Sequence, residues 1–149
     1  MQIKVDSKTL VSALDVVGIV PPRKVNQSGF SGYLFSVQDN KCCIYSRDDT
    51  HVSRSVVAIE SADQEGAFVY PDKSILAFKY VPGALTFNAT TDGEKYLVNY
   101  TSESGATAER FTVNPKLFST CEEDLLQAEA SHEFPAGVLQ LAFNTVKNN

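Results

Sequence analysis

The sequence predicts an α+β fold in which two β–α–β–β–β units pair into antiparallel sheets, with both helices on one face of the sheets. Short alternating or β-branched segments between turn residues predict eight strands, and two further segments place apolar residues at helical spacing. The order of elements that begins at Met1 starts again at Gly66, with almost no residue identity between the halves. The composition, 43% hydrophobic and 21% charged over 149 residues, is that of one globular domain.

The first unit begins with a strand at residues 1–5, where apolar and polar residues alternate. Ser7 is the expected N-cap of the helix that follows, and Gly18 is expected to end it. The apolar face of this helix consists of Leu10, Val11, Leu14 and Val17. A loop starts at Pro21, because proline cannot continue a helix. Three strands complete the unit, at residues 30–38, 42–46 and 52–59, with a tight turn at 39–41.

The second unit repeats this order from a strand at residues 67–70. Pro71 suits the first position of a short helix, which ends at Pro82. Its broad apolar face is expected to consist of Ile75, Leu76, Phe78 and Tyr80. Three strands follow, at residues 84–89, 95–101 and 107–113, with turns at 91–94 and 102–105.

The rest of the chain does not fit this domain of residues 1–113. Residues 114–130, with their acidic run, have the composition of a surface linker. Residues 131–149 resemble a third β–α start without its hairpin strands, so the helix at 135–147 would have an apolar face and no sheet of its own. This pattern indicates either a longer protein that has been cut or a helix that docks on the domain or on a partner.

The cysteines and the absence of targeting signals favour a cytosolic protein. Three cysteines, at 42, 43 and 121, are an odd number with no Cys-x-x-Cys pair, which favours reduced thiols. Cys42 and Cys43 are adjacent in a predicted strand and should point to opposite faces. No apolar run approaches a membrane span, and the first ten residues contain no apolar signal core.

Catalytic and metal sites are weakly indicated. The segment 47–51, Arg-Asp-Asp-Thr-His, could offer carboxylates to a divalent cation, but no second carboxylate-rich motif completes such a site. Cys121 has no histidine at motif spacing, and His132 has only Glu133 beside it. No glycine-rich phosphate loop is present. We therefore expect no enzymatic activity, no metal and no cofactor.

Six segments, taken in order, carry a family resemblance. They are MQIKVDSKTLVSALDVV at the start, Pro22-Arg23-Lys24, Tyr45-Ser46-Arg47-Asp48-Asp49, Tyr70-Pro71-Asp72-Lys73, Arg110-Phe111-Thr112-Val113, and Glu133-Phe134-Pro135. Together they resemble the N-terminal domain of the bacterial DNA polymerase sliding clamp, the β subunit of the replicative polymerase. The resemblance implies the DNA-clamp (processivity) fold, itself two β–α–β–β–β units. Residues 25–30 depart from the family's Thr-Leu-Pro-Ile-Leu loop, which favours a phage or plasmid replication system.

A clamp must hold DNA loosely, through a few cations that contact phosphates without reading sequence. The formal net charge of −5 excludes a generally basic nucleic-acid binder but leaves room for a local basic patch. The resemblance implies DNA contacts from Arg23, Lys24 and Lys73. Lys8 on the first helix and Lys79 on the second are further candidates.

The resemblance also implies a subunit interface at the last strand and the second helix. In the family this strand is a sheet edge that pairs with a neighbouring subunit. The implied interface residues are Phe78, Pro82, Arg110, Phe111 and Val113. The alternative for Phe78 and Phe111 is that they are core residues, because burial and interfaces share one compositional signal.

Two functions remain open at this stage. The first is a processivity factor: a clamp, or the first domain of one, that encircles double-stranded DNA, works with a DNA polymerase and a clamp loader in DNA replication, and closes as a head-to-tail ring when full length. The second is a clamp-like interaction module that binds or blocks a clamp or replisome protein without encircling DNA. A functional basic inner face would favour the first. The family's peptide-binding pocket lies mainly in a third domain, outside this region.

Overall fold

The computed structural model describes residues 1–18, 32–48, 51–71, 73–118 and 120. Within them the chain forms two antiparallel sheets, one α-helix and two 3₁₀ helices, which confirms the α+β class. The strands are β1 Gln2–Asp6, β2 Tyr33–Gln38, β3 Lys41–Arg47, β4 Val52–Ala58, β5 Ser61–Ala62, β6 Gly66–Tyr70, β7 Ala84–Asp92, β8 Lys95–Ser102 and β9 Thr107–Thr112. The helices are α1 Ser7–Val17, the long 3₁₀ helix Lys73–Tyr80 and a short 3₁₀ helix Pro115–Leu117.

The two predicted units exchange their first strands. The five-stranded sheet has the order β5-β1-β7-β8-β9, and the four-stranded sheet has the order β4-β3-β2-β6. Strand β1 of the first unit therefore pairs with β7 of the second, and β6 of the second pairs with β2 of the first. Each sheet thus contains strands from both halves of the sequence, so neither half has a complete sheet alone.

Hairpin turns fix the register where the sequence predicted turns. Gln38 pairs directly with Lys41, and the two residues between them, Asp39 and Asn40, have φ values of 50° and 58°. Positive φ at both positions matches the right-handed twist of the strands, and Asp and Asn tolerate it better than most residues. The sequence analysis missed β5, whose two residues pair with Ile3 and Lys4.

Aromatic rings join the two sheets at Phe87. On the four-stranded sheet, Phe35 and Phe68 stack with their centroids 4.8 Å apart. The Phe87 ring of the other sheet lies 5.6 Å from Phe35 and 5.9 Å from Phe68. Phe78 of the long 3₁₀ helix meets Phe87 edge-on at 5.6 Å. Such offset and edge-on pairs add to the stabilisation from burial alone.

A second apolar cluster lies on the outer face of the four-stranded sheet. Leu34, Tyr45 and Val69 are buried there by Phe118, which follows the short 3₁₀ helix. This packing places the first residues of the expected linker against the domain. Residue 119 and residues 121–149 lie outside the described residues.

The adjacent cysteines point to opposite faces, as predicted. Cys42 lies in the core between the sheets, whereas Cys43 packs against the outer cluster. Burial raises the pKa of the Cys42 thiol to about 12, so this thiol stays protonated and unreactive. Cys121 lies outside the described residues. No helix in the described part of the chain has the length and apolar character needed to cross a membrane.

Two local predictions were wrong. The N-cap of α1 is Asp6 rather than Ser7, because the Asp6 carboxylate accepts hydrogen bonds from the Thr9 backbone N–H at 3.0 Å and the Thr9 hydroxyl at 3.1 Å. The second helix is 3₁₀ rather than α, and its period of three changes which residues it buries. Tyr80, expected on the apolar face, is 78% exposed.

Replacing Phe87 with alanine should lower the free energy of unfolding by about 3–5 kcal/mol, because it removes the ring that joins the two sheets. Urea unfolding followed by circular dichroism measures this loss. Val56→Ala is the control: this side chain is 53% exposed, and we expect a change within about 0.5 kcal/mol. Equal losses for the two variants would contradict the central role of Phe87.

Replacing Asp6 with alanine should destabilise the protein at neutral pH, and Asp6→Asn, which retains a capping oxygen but not the charge, should destabilise it less. The Thr9 backbone N–H holds the pKa of Asp6 below its ordinary value of 3.8. The charged cap therefore contributes its full stabilisation at pH values above the ordinary pKa. This stabilisation is lost as the pH falls through the lower pKa of the folded state. We expect the stability gap between wild type and Asp6→Ala to narrow on acidification below pH 3.8. A gap that does not change with pH would rule out the charged cap.

Candidate functional site

A groove of about 530 Å³ lies where α1 and the end of the long 3₁₀ helix meet. It brings together Lys8 and Lys79, two of the predicted DNA contacts, and Pro82, one of the predicted interface residues. Both lysines are exposed. The complete lining among the described residues is Ser7, Lys8, Val11, Ser12, Lys79, Tyr80, Val81 and Pro82. We call it the lysine–tyrosine groove.

The amphipathic pattern of α1 determines where Lys8 lies. Leu10, Leu14 and Val17 are fully buried, so Lys8 lies on the opposite, exposed face. Ser12 is exposed on the next turn, and its hydroxyl donates to the Lys8 carbonyl at 3.0 Å. The first two turns of α1 thus present the Lys8 ammonium and the Ser12 hydroxyl to the groove.

The period of the 3₁₀ helix determines where Lys79 and Tyr80 lie. Side chains three residues apart eclipse one another in a 3₁₀ helix. Ile75 and Phe78 are accordingly both buried, and Val81 at the next interval packs against the same core. Lys79 and Tyr80 therefore point outward. The Lys79 ammonium lies 4.8 Å from the centre of the Tyr80 ring, which is a cation–π contact.

One backbone hydrogen bond holds the two walls of the groove together. The Ser7 N–H, at the start of α1, donates to the Gly83 carbonyl at 3.0 Å. Gly83 has φ of 79°, a conformation that favours glycine, and a Cβ there would collide with the Glu103 carboxylate. The chain can therefore turn from the 3₁₀ helix into β7 beside the first turn of α1.

The groove is locally basic on an acidic chain. Of the lining residues that the structure describes, two are lysines and none is acidic. The nearby Asp6 carboxylate accepts from the Thr9 N–H and hydroxyl at the helix start, and its charge also attracts Lys8, so the two lysines outnumber this one carboxylate. This arrangement attracts anions without requiring a basic protein overall.

The side chains of the other predicted DNA contacts are not among those that the structure describes. Lys73 begins the long 3₁₀ helix, but its side chain is not described. Arg23 and Lys24 lie outside the described residues.

The last strand forms a second candidate surface. Among the described residues, strand β9 forms an edge of the five-stranded sheet, and Phe111 on it is 72% exposed beside Leu97 of β8. Leu117, which the sequence analysis did not single out, is 58% exposed just beyond this strand. An open edge with exposed apolar residues is a template for pairing with another chain.

The remaining interface candidates differ in their surroundings. Phe78 is 2% exposed, and its ring packs edge-on against Phe87. Arg110 is partly buried, and its guanidinium donates to the Glu109 carbonyl at 3.0 Å. Val113 packs against the outer cluster around Phe118.

The acidic segment at 47–51 forms a local turn where the structure describes it. The Asp48 carboxylate accepts from the His51 backbone N–H at 2.8 Å and lies 3.3 Å from the His51 ring nitrogen. Within the described residues no group of three or more metal-ligating side chains comes together.

Tyr80 is the groove residue that sequence reasoning missed. Helical spacing assigned it to the buried face, because a period near 3.6 was assumed. The signal that could have found it is the spacing of three shared by Ile75, Phe78 and Val81.

Comparison with solved structures identifies the fold. A DNA polymerase III subunit β sliding clamp from Pseudomonas aeruginosa, bound to griselimycin, superposes with a TM-score of 0.67 at 20% identity, covering 90% of this chain and 35% of that one. The Helicobacter pylori β clamp bound to a DNA ligase peptide gives 0.64 at 17% identity, covering 91% and 33%. The β subunit of a DNA polymerase from Streptococcus pyogenes gives a TM-score of 0.65 at 13% identity, covering 91% of this chain and 34% of that one.

No protein-family model matches the sequence, and no curated protein matches it. The chain spans about a third of the length of the clamps that it resembles. The two antiparallel sheets, and their match to these structures at low sequence identity, show that the chain has the fold of a DNA polymerase III β sliding clamp domain.

Proposed function

We propose that this chain is the N-terminal domain of a DNA sliding clamp, a processivity factor that encircles double-stranded DNA and tethers a DNA polymerase in replication. The observation that carries the proposal is the lysine–tyrosine groove, where the clamp fold places Lys8 and Lys79 on one exposed surface. A clamp requires no catalytic group, so the proposed role is not enzymatic.

The chemistry of the groove suits sliding. Lysine ammonium groups contact phosphates as point charges on flexible stems, so they hold a duplex without reading bases. The net charge of −5 on the whole chain discourages DNA from binding elsewhere on its surface. Arg23, Lys24 and Lys73 belong to the same proposed set of phosphate contacts.

Because the chain spans about a third of the length of the clamps, encirclement needs further domains or copies. We propose that β9 supplies one contact of a head-to-tail ring, since its open edge and exposed Phe111 suit pairing with a neighbouring clamp domain. This role implies a clamp loader as a further partner and a cytoplasmic location. The departure at residues 25–30 is what supports a phage or plasmid replication system as the source.

A second candidate function is a clamp-like module that binds or blocks a clamp or replisome protein without encircling DNA. The β9 edge favours it, because edge pairing needs no DNA. The two functions differ in whether the lysines of the groove matter.

Reversing both charges, in Lys8→Glu with Lys79→Glu, should weaken binding to a blunt DNA duplex and lower its salt dependence. Each lost phosphate contact removes about 0.9 from the slope of log affinity against log salt, so the double variant should lose about two. Fluorescence anisotropy of a labelled duplex at several salt concentrations measures both quantities.

Lys95→Glu is the matched control, because this exposed lysine lies at the β7–β8 turn and outside the groove. It should weaken binding less and leave the slope almost unchanged. If the double variant binds duplex as tightly as wild type, the clamp proposal is wrong and the interaction module becomes the better description.

Replacing Phe111 with aspartate should prevent association of the chain with a second copy through β9. The side chain is 72% exposed, so the substitution should leave the fold stable while it places a charge on the proposed contact. Light scattering across a range of concentrations measures the mass, which we expect to rise for wild type and to stay monomeric for the variant.

Tyr80→Asp is the control for this measurement, since Tyr80 is 78% exposed but lies in the groove. It should associate like wild type. A wild-type chain that stays monomeric, or a Phe111 variant that associates normally, would argue against pairing of two copies through β9.

A further inference from the structure

We infer that the lysine–tyrosine groove binds a single-stranded nucleic-acid segment, with a base stacked on Tyr80 and the adjoining phosphates held by Lys79 and Lys8. The inference rests on the proposed function, since it assumes that this surface faces DNA. It goes beyond that function because it names a residue that stacks on a base and specifies a single-stranded ligand.

The exposure of Tyr80 is the first observation. Among the described residues it is the most exposed large hydrophobic side chain, at 78%. Ile75 and Phe78 of the same helix are buried, so the helix has an apolar face, but Tyr80 does not lie on it. The fold instead holds this ring in the solvent at the rim of a groove. Exposed aromatic rings in basic grooves are the stacking platforms of single-strand binders, because every base has an aromatic face.

The position of the charges is the second observation. The Lys79 ammonium is 4.8 Å from the centre of the Tyr80 ring, and Lys8 lies on the α1 wall of the same groove. A nucleotide carries its planar base and its anionic phosphate a few ångströms apart. Lys79 lies over one face of the ring, so a base stacked on the other face would bring its own phosphates towards the ammonium groups. The described lining contains no carboxylate to oppose this.

The ring distinguishes a single strand from the other anionic partners. In a duplex the bases are stacked and paired, so their faces are not available and the lysines alone would contact the phosphates. An acidic peptide would likewise use the lysines without needing the ring. A single strand can use both, and a clamp beside a polymerase meets single-stranded template where synthesis has not yet reached.

The test measures the affinity of the 149-residue chain for two labelled probes at low salt, which are oligo-dT and a blunt duplex of equal length. Tyr80→Ala should weaken oligo-dT binding about tenfold, within the range known for loss of one stacked base, and should leave duplex binding unchanged. Tyr80→Phe retains the ring and should bind both probes like wild type. Val56→Ala, which shortens an exposed apolar side chain outside the groove, should also bind both like wild type.

Several results would overturn the inference. Unchanged oligo-dT binding by Tyr80→Ala would do so, and so would an equal loss for both probes. If polyglutamate displaces oligo-dT equally well from wild type and from Tyr80→Ala, the groove is a site for acidic peptides and the inference is also wrong.

The same measurements separate this inference from the proposed function. Duplex binding that depends on Lys8 and Lys79, with no binding of oligo-dT, would overturn the inference and leave the clamp proposal standing. Oligo-dT binding that depends on Tyr80, with no binding of duplex, would support the inference and count against the clamp.

Discussion

The contact between the two sheets at Phe87 is the interaction on which the rest of the structure depends. Its ring meets Phe35 and Phe68 of the opposite sheet and Phe78 of the long 3₁₀ helix. One side chain therefore links both sheets to the helix that carries Lys79. Because sheets pack by interdigitating their inner faces, a change at this point would alter the spacing of the sheets and the position of that helix together. The groove on the surface is thus set by packing in the core.

The exchange of first strands explains why the groove exists at all. In the pairing of β1 with β7, Asp6 lies opposite Ala84. The helix that follows β1 and the 3₁₀ helix that precedes β7 therefore meet at the same end of these two strands. Lys8 and Lys79 are 71 positions apart in the sequence and become neighbours only through this register. A slip of one residue between β1 and β7 would move the side chains of the slipped strand to the opposite face of the sheet. It would also shift the helices that carry Lys8 and Lys79 relative to each other.

Much of the fold could be predicted from the sequence because its strands have a clear period of two and its turns contain suitable residues. Asp39 and Asn40 lie at the hairpin turn, and Cys42 and Cys43 alternate between faces, as expected. The strand exchange could not be predicted, since hydrophobic patterns specify faces and not partners. The helix start was wrong by one residue because Asp and Ser are both good N-caps and only the hydrogen bonds of Asp6 distinguish them. The candidate site was predicted in part: two lysines were named, but Tyr80 was assigned to the core because the wrong helical period was assumed.

Two exposed aromatic side chains now mark two surfaces with different chemistry. Tyr80 lies in a groove with two lysines, one of which has its ammonium 4.8 Å from the ring centre, so its surroundings favour anions. Phe111 lies on an open strand edge beside Leu97, so its surroundings select another strand with apolar side chains. If one partner used both surfaces, it would need to be anionic at one place and strand-like at the other. The proposed partners, nucleic acid at the groove and protein at the edge, would meet these requirements separately.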